Sequence, residues 1–187
     1  MLKNFFSYLF ELIKVVVISL AIIIPVRYYL IQPFYVKGAS MEPTFHDNEY
    51  LIIDEISYRF NEPARGDIIV FRYPRNPKEY FIKRVIGLPG EKVQIKDGNI
   101  YVFDQAHPDG IKLDETYLSA DTKTYGLNEE ITVLNDNQFY VLGDNRNASK
   151  DSRSFGPVSR EFIVGHVLLR GWPFNKVNIF SAPEYGY

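Results

Sequence analysis

Twelve consecutive uncharged residues, Val15–Val26 (VVVISLAIIIPV), sit near the start of this 187-residue chain. Extended to Leu12–Leu30, the window covers 19 residues and is broken only by Lys14 and Arg27. As a helix it would be about 28 Å long, close to the hydrocarbon thickness of a bilayer. Lys14 and Arg27 lie near its ends, where long stems carry charge toward the headgroups, and Tyr28 and Tyr29 suit an interface. Pro25 is expected to kink or end the helix. Three readings fit the segment: a spanning anchor, a cleaved signal peptide followed by the small residues Gly38, Ala39 and Ser40, or a helix lying in the membrane plane through Leu2, Phe5, Phe6 and Leu9. Lysine and arginine flank the run on both sides, so charge alone leaves its orientation open.

Beyond Gln32 the pattern changes to short apolar runs separated by turn residues. YLIIDEI (50–56), DIIVFRY (67–73), EYFIKRVIG (79–87), KVQIKD (92–97), NIYVF (99–103), QFYVLG (138–143) and FIVGHVLLR (162–170) read as strands. Asp97-Gly98 predicts a hairpin turn, and Leu88-Pro89-Gly90 another sharp turn. Residues 104–136 turn polar and read as an insertion or small subdomain outside the main core. The expected fold is mainly β: an N-terminal transmembrane helix followed by an antiparallel β-rich domain with one polar insertion.

Composition closes several routes. The chain has no cysteine, which excludes disulfides, thiolate nucleophiles and cysteine-ligated metals. A net charge of −2 is not that of a general nucleic-acid binder. The three histidines, His46, His107 and His166, lack metal-site spacing. His166, inside IVGHVLLR, reads as a strand residue with a satisfied hydrogen bond.

Hydroxyls and carboxylates therefore remain as nucleophiles, and three segments concentrate unusual residues. KGASMEPTF (37–45) sets Ser40 in a tight loop directly after the apolar segment. In EYFIKRVIGLPG, strand alternation places Lys83 on one face with Phe81 and Val85. Either its stem lies over the core with the head in water, or the amine is desolvated, which lowers a lysine pKa and lets it act as a base. VLGDNRNASKDSRSFGPV (141–158) crowds Asp144, Arg146, Ser149, Asp151 and Arg153 together. That is either a solvated loop or a hydrogen-bonded scaffold.

Taken in order, the apolar segment with GASMEPT, then RGDIIVF (65–71), YFIKRVIGLPGE (80–91) and GDNRNASKDSR (143–153) closely resemble type I signal peptidases. The resemblance runs from about Leu12 to Phe174. It implies Ser40 as nucleophile, Lys83 as general base and Ser149 as the hydroxyl that orients the lysine amine. Asp144, Arg146, Asp151 and Arg153 match the supporting scaffold. Val36, Met41, Phe81 and Ile82 are the positional candidates to line pockets for small substrate side chains. The resemblance further implies a short cytoplasmic or interfacial N-terminus (1–11), a transmembrane helix (12–31) and an extracytoplasmic peptidase domain (32–187). Its partners would be the signal peptides of preproteins and the lipid bilayer, with no nucleic acid, metal or cofactor. The chain departs from the pattern at Gly38, where some members carry a serine whose hydroxyl helps to form the oxyanion hole. Two rivals share parts of this pattern: a self-cleaving serine–lysine peptidase of the repressor type, disfavoured by residues 1–31, and a catalytically inactive membrane-tethered module that binds signal peptides.

Overall fold

The computed structural model describes residues 2–29, 31–127, 129–183 and 185. Helix α1 (Leu2–Tyr29) begins well before the expected span and does not stop at Pro25. Its window Phe5–Ile24 is long and apolar enough to cross a membrane, and none of that window is buried against the rest of the protein. Leu30, the last residue of the 19-residue window, lies outside the described residues.

The remainder is antiparallel β-structure, as the alternation predicts. The seven expected strands form as β2 (Tyr50–Asp54), β3 (Ile68–Tyr73), β4 (Asn76–Gly87), β5 (Lys92–Lys96), β6 (Asn99–Phe103), β9 (Gln138–Leu142) and β11 (Ile163–Trp172). Five short strands were not anticipated: β1 (Ile31–Tyr35), β7 (Ile111–Lys112), β8 (Thr132–Val133), β10 (Val158–Ser159) and β12 (Asn178–Ile179). Eight strands make one sheet in the order β1-β2-β11-β3-β4-β9-β10, with β12 added to β11. A second, four-stranded sheet has the order β7-β6-β5-β8.

The large sheet curls on itself. Although β1 and β4 are separated by three strands, Phe34 meets Tyr80 with ring centroids 5.5 Å apart. Strand β11 shifts register against both neighbours, between Ile163 and Gly165, between Val167 and Leu169, and between Arg170 and Trp172. Such bulges bend and over-twist a strand. Inside the curl, Val36, Met41, Phe45, Leu51, Ile53, Ile68, Val70 and Val167 form one core. On the other face Ile69, Phe71, Val85, Phe139, Val141 and Val158 form a second. Strand β3 thus alternates Ile68 and Val70 into one core and Ile69 and Phe71 into the other, as a period of two requires.

The 104–136 stretch is not outside the core. Its strands β7 and β8 flank the β5–β6 hairpin, and its Leu113 and Leu134, 3% and 2% exposed, pack with Ile86, Val93, Ile100 and Leu142. The polar composition hid two apolar anchors spaced too far apart to register as a periodic run.

Candidate active site

Ser40 lies in the loop between β1 and β2. The loop is closed at its base by Val36 N–H donating to Glu49 O (2.8 Å) and Asn48 N–H donating to Val36 O (3.0 Å). Inside it a helical turn runs from Met41 O to Phe45 N–H, which points Met41 and Phe45 into the core. Lys83 stands in the middle of β4, opposite Ile69 of β3. It is 3% exposed, and its Nζ donates to Ser40 Oγ and to Ile82 O, each at 2.7 Å. The desolvated-amine alternative is therefore the one realised. Burial pulls the amine pKa down to about 8, against the opposing pull of the Asp151 and Asp144 carboxylates.

The loop after β9 locks this pair from behind. Asn145 N–H donates to Ser40 O and Asn145 Nδ2 to Ala39 O, both at 3.1 Å. Asp144 accepts from Arg84 Nε (2.9 Å) and Nη2 (2.7 Å), and Thr44 Oγ1 donates to it at 2.5 Å. Asp151 caps helix α2 (Ser152–Phe155), accepts from Gly143 N–H at 3.1 Å, and is held by Arg153 through Nε (2.8 Å) and Nη2 (2.7 Å). Arg146 is buried. It donates through Nε to Gly143 O at 3.1 Å, and through its terminal nitrogens to Glu115, Thr124 and Tyr117. A methyl group on Gly143 would collide with both Ser149 Oγ and the Ser40 carbonyl, so only glycine lets β9 approach the nucleophile loop this closely.

Sequence reasoning missed several members of this network. Arg84 pairs bidentately with Asp144, and its guanidinium lies 3.8 Å from the Tyr117 ring centroid. Glu115, Tyr117 and Thr124 come from the polar stretch, where nothing marks them apart from their solvated neighbours. Buried Glu49 accepts from Arg170, which also donates to Thr44 O at 3.1 Å and so ties β11 to the nucleophile loop. Arg84 did leave a signal: a second cation on an apolar strand, beside the first.

Three expectations need adjustment. Ser149 makes no hydrogen bond to the lysine amine. Its Oγ is buried beside Gly143 without a hydrogen-bond partner among the described residues, while the amine turns to the Ile82 carbonyl. Met41 does not reach the cleft, because the turn directs it inward. His166 Nδ1 is buried with no hydrogen-bond partner among the described residues, and the ring packs instead on Tyr58, centroids 5.0 Å apart. Gly38 has a φ of +90°, and its N–H donates to Asp47 Oδ1 at 2.6 Å. It therefore supplies neither a hydroxyl nor a free N–H to an oxyanion.

Over the serine–lysine pair opens a cleft of about 600 Å³. Its walls include Phe34, Val36, Leu51, Val70, Tyr80, Phe81 and Ile82, and Lys37, Glu79 and Lys150 also line it. An amine with a pKa of about 8, in contact with a hydroxyl, can take that proton as the oxygen attacks a carbonyl. A mostly apolar cleft beside it suits an extended peptide with small side chains.

Residues 9–172 match the family model described as signal peptidase, peptidase S26. A probable signal peptidase I-2 of Synechocystis is 40% identical, with 91% of this chain and 77% of that protein aligned. Signal peptidase IB of Staphylococcus aureus is 34% identical over 94% of this chain and 96% of its own length. A crystal structure of a signal peptidase I from Enterococcus faecalis matches with a TM-score of 0.46 and 33% identity, covering 57% of this chain and 97% of that one.

Proposed function

Because the chain belongs to the signal peptidase family of peptidase S26, a family of serine proteases, we propose that it is anchored in the cytoplasmic membrane and removes N-terminal signal peptides from exported preproteins after an A-x-A-like site. The observation that carries the reading is the 2.7 Å contact between Ser40 Oγ and the buried Lys83 amine, at a mostly apolar cleft. Ser40 is the nucleophile and neutral Lys83 the general base. The lysinium formed as the hydroxyl attacks then protonates the leaving amine, and the same lysine, neutral again, activates the water that hydrolyses the acyl-enzyme. Val36, Phe81 and Ile82 line the pockets that admit only small side chains. Asp144, Arg146, Asp151 and Arg153 hold the loop behind the pair, and Ser149 lies beside it. Helix α1 is the anchor, with the N-terminus inside and residues 32–187 outside.

The test is cleavage of a purified A-x-A preprotein by the full chain in detergent, with Ser40→Ala run alongside. Trimming after the small residue by the unaltered protein alone supports the proposal. Binding of the precursor by both proteins, with cleavage by neither, would replace it with a tethered binding module.

A further inference from the structure

The charges along the cleft are unbalanced. Asp144 and Asp151, next to the reacting pair, are each bound by an arginine, Arg84 and Arg153. Glu79, the carboxylate on the cleft wall, accepts from Asn76 Nδ2 at 2.6 Å. Two exposed cations, Lys37 and Lys150, also line the cleft, and neither takes part in an ion pair among the described residues. Of the two, Lys150 has its ammonium against aromatic rings. It stands 4.4 Å from the Tyr73 ring centroid and 5.9 Å from that of Phe81, two rings stacked 4.5 Å apart with 6° between their planes. A cation over an aromatic face is attracted by the ring quadrupole, so this long side chain gives up little further freedom when a carboxylate arrives. Phe81 is itself cleft wall, two residues from Lys83. Lys150 follows Ser149, whose Oγ adjoins the same Gly143 that abuts the Ser40 carbonyl.

We propose that Lys150 is a specificity-determining residue whose ammonium pairs with an acidic substrate side chain within two residues of the scissile bond. Precursors carrying Asp or Glu there are cut in preference to those carrying a neutral or basic residue. The inference rests on the peptidase reading above and adds to it the charge class of the favoured substrate. An unpaired ammonium in a partly apolar cleft attracts a carboxylate and repels lysine or arginine, and the effect weakens as salt screens it.

The experiment uses the full chain in uncharged detergent with A-x-A peptides. The residue two before the cut, or either of the first two after it, is set in turn to Asp, Asn or Lys. For the unaltered protein, kcat/KM for the Asp peptide should exceed that for its Asn twin by about three- to fivefold at low ionic strength in at least one position, and the ratio should fall toward one at high salt. Lys150→Ala should flatten the ratio and Lys150→Glu should invert it in favour of Lys. Each ratio is taken within one variant, so changes in folding or overall turnover cancel. A ratio near one in the unaltered protein overturns the proposal, as does an Asp preference that survives in Lys150→Ala. If the unaltered protein cuts no peptide at all, the peptidase reading fails first and this inference with it.

Discussion

Lys83 carries a conflict between stability and activity. Its pKa of about 8 in the fold lies below the ordinary 10.5 of lysine, so folding favours the neutral amine. Stability from this group is complete above pH 10.5, declines as pH falls toward 8, and is level below that. At pH 7 the buried amine therefore costs the fold on the order of 3 kcal/mol. Lys83→Met should abolish turnover and raise the melting temperature at pH 7. A variant that still cleaves, or that melts well below the unaltered protein, would contradict this account. The same pKa sets the pH profile: kcat/KM should climb with pH along a limb centred near 8, with about one enzyme in ten competent at pH 7. Asp151→Asn removes the carboxylate that most raises the lysine pKa, so that limb should move to lower pH, which a pH–rate profile of the variant would detect. Ser40 and Lys83 left only weak local signals, a serine in a tight loop and a cation on an apolar stripe, and their roles came from the resemblance carried by the four motifs in order. Met41 and Ser149 were misjudged because a one-turn loop and a rotamer decide where a side chain points, and neither is written in the spacing.

At the scale of elements, strands of five residues or more were legible wherever apolar residues alternated. Strands β7, β8, β10 and β12 have two residues each, too few to display a period of two. Strand β1 contains Pro33, which a sheet tolerates on an edge strand, the place it occupies here. The polar stretch was misread for a related reason. Its contribution to the site is Glu115, Tyr117 and Thr124 around buried Arg146, and a glutamate, tyrosine or threonine in a polar run carries no mark of its partner. Glu115→Gln would leave that guanidinium uncompensated, at a cost of about 3 kcal/mol visible in thermal melting, together with loss of activity. Gly143→Ala tests the approach of β9 to the nucleophile loop. The added methyl must displace Ser149 and the Ser40 carbonyl, so turnover should fall far more than the 1–3 kcal/mol typical of overpacking would suggest from stability alone. Unchanged turnover per folded molecule would show that the loop accommodates the methyl.

For the molecule as a whole, α1 and the β-domain divide the work. None of the apolar window of α1 is buried against the domain, whose cores are built from residues beyond 35. Deleting residues 1–30 should thus leave the domain's melting temperature within a few degrees while abolishing co-sedimentation with lipid vesicles. A large drop in melting temperature would mean that the helix stabilises the domain. Strand β1 starts at Ile31, two residues after α1 ends at Tyr29. Eleven peptide steps separate Tyr29 from Ser40, a leash of at most about 38 Å fully drawn out, and β1 takes up part of it. With α1 in the bilayer, the serine patrols a thin slab at the lipid surface. On the proposed function, a precursor's cleavage point would then be chosen by depth as well as by sequence, and a small-residue pair lying far out on an exported chain would stay beyond reach.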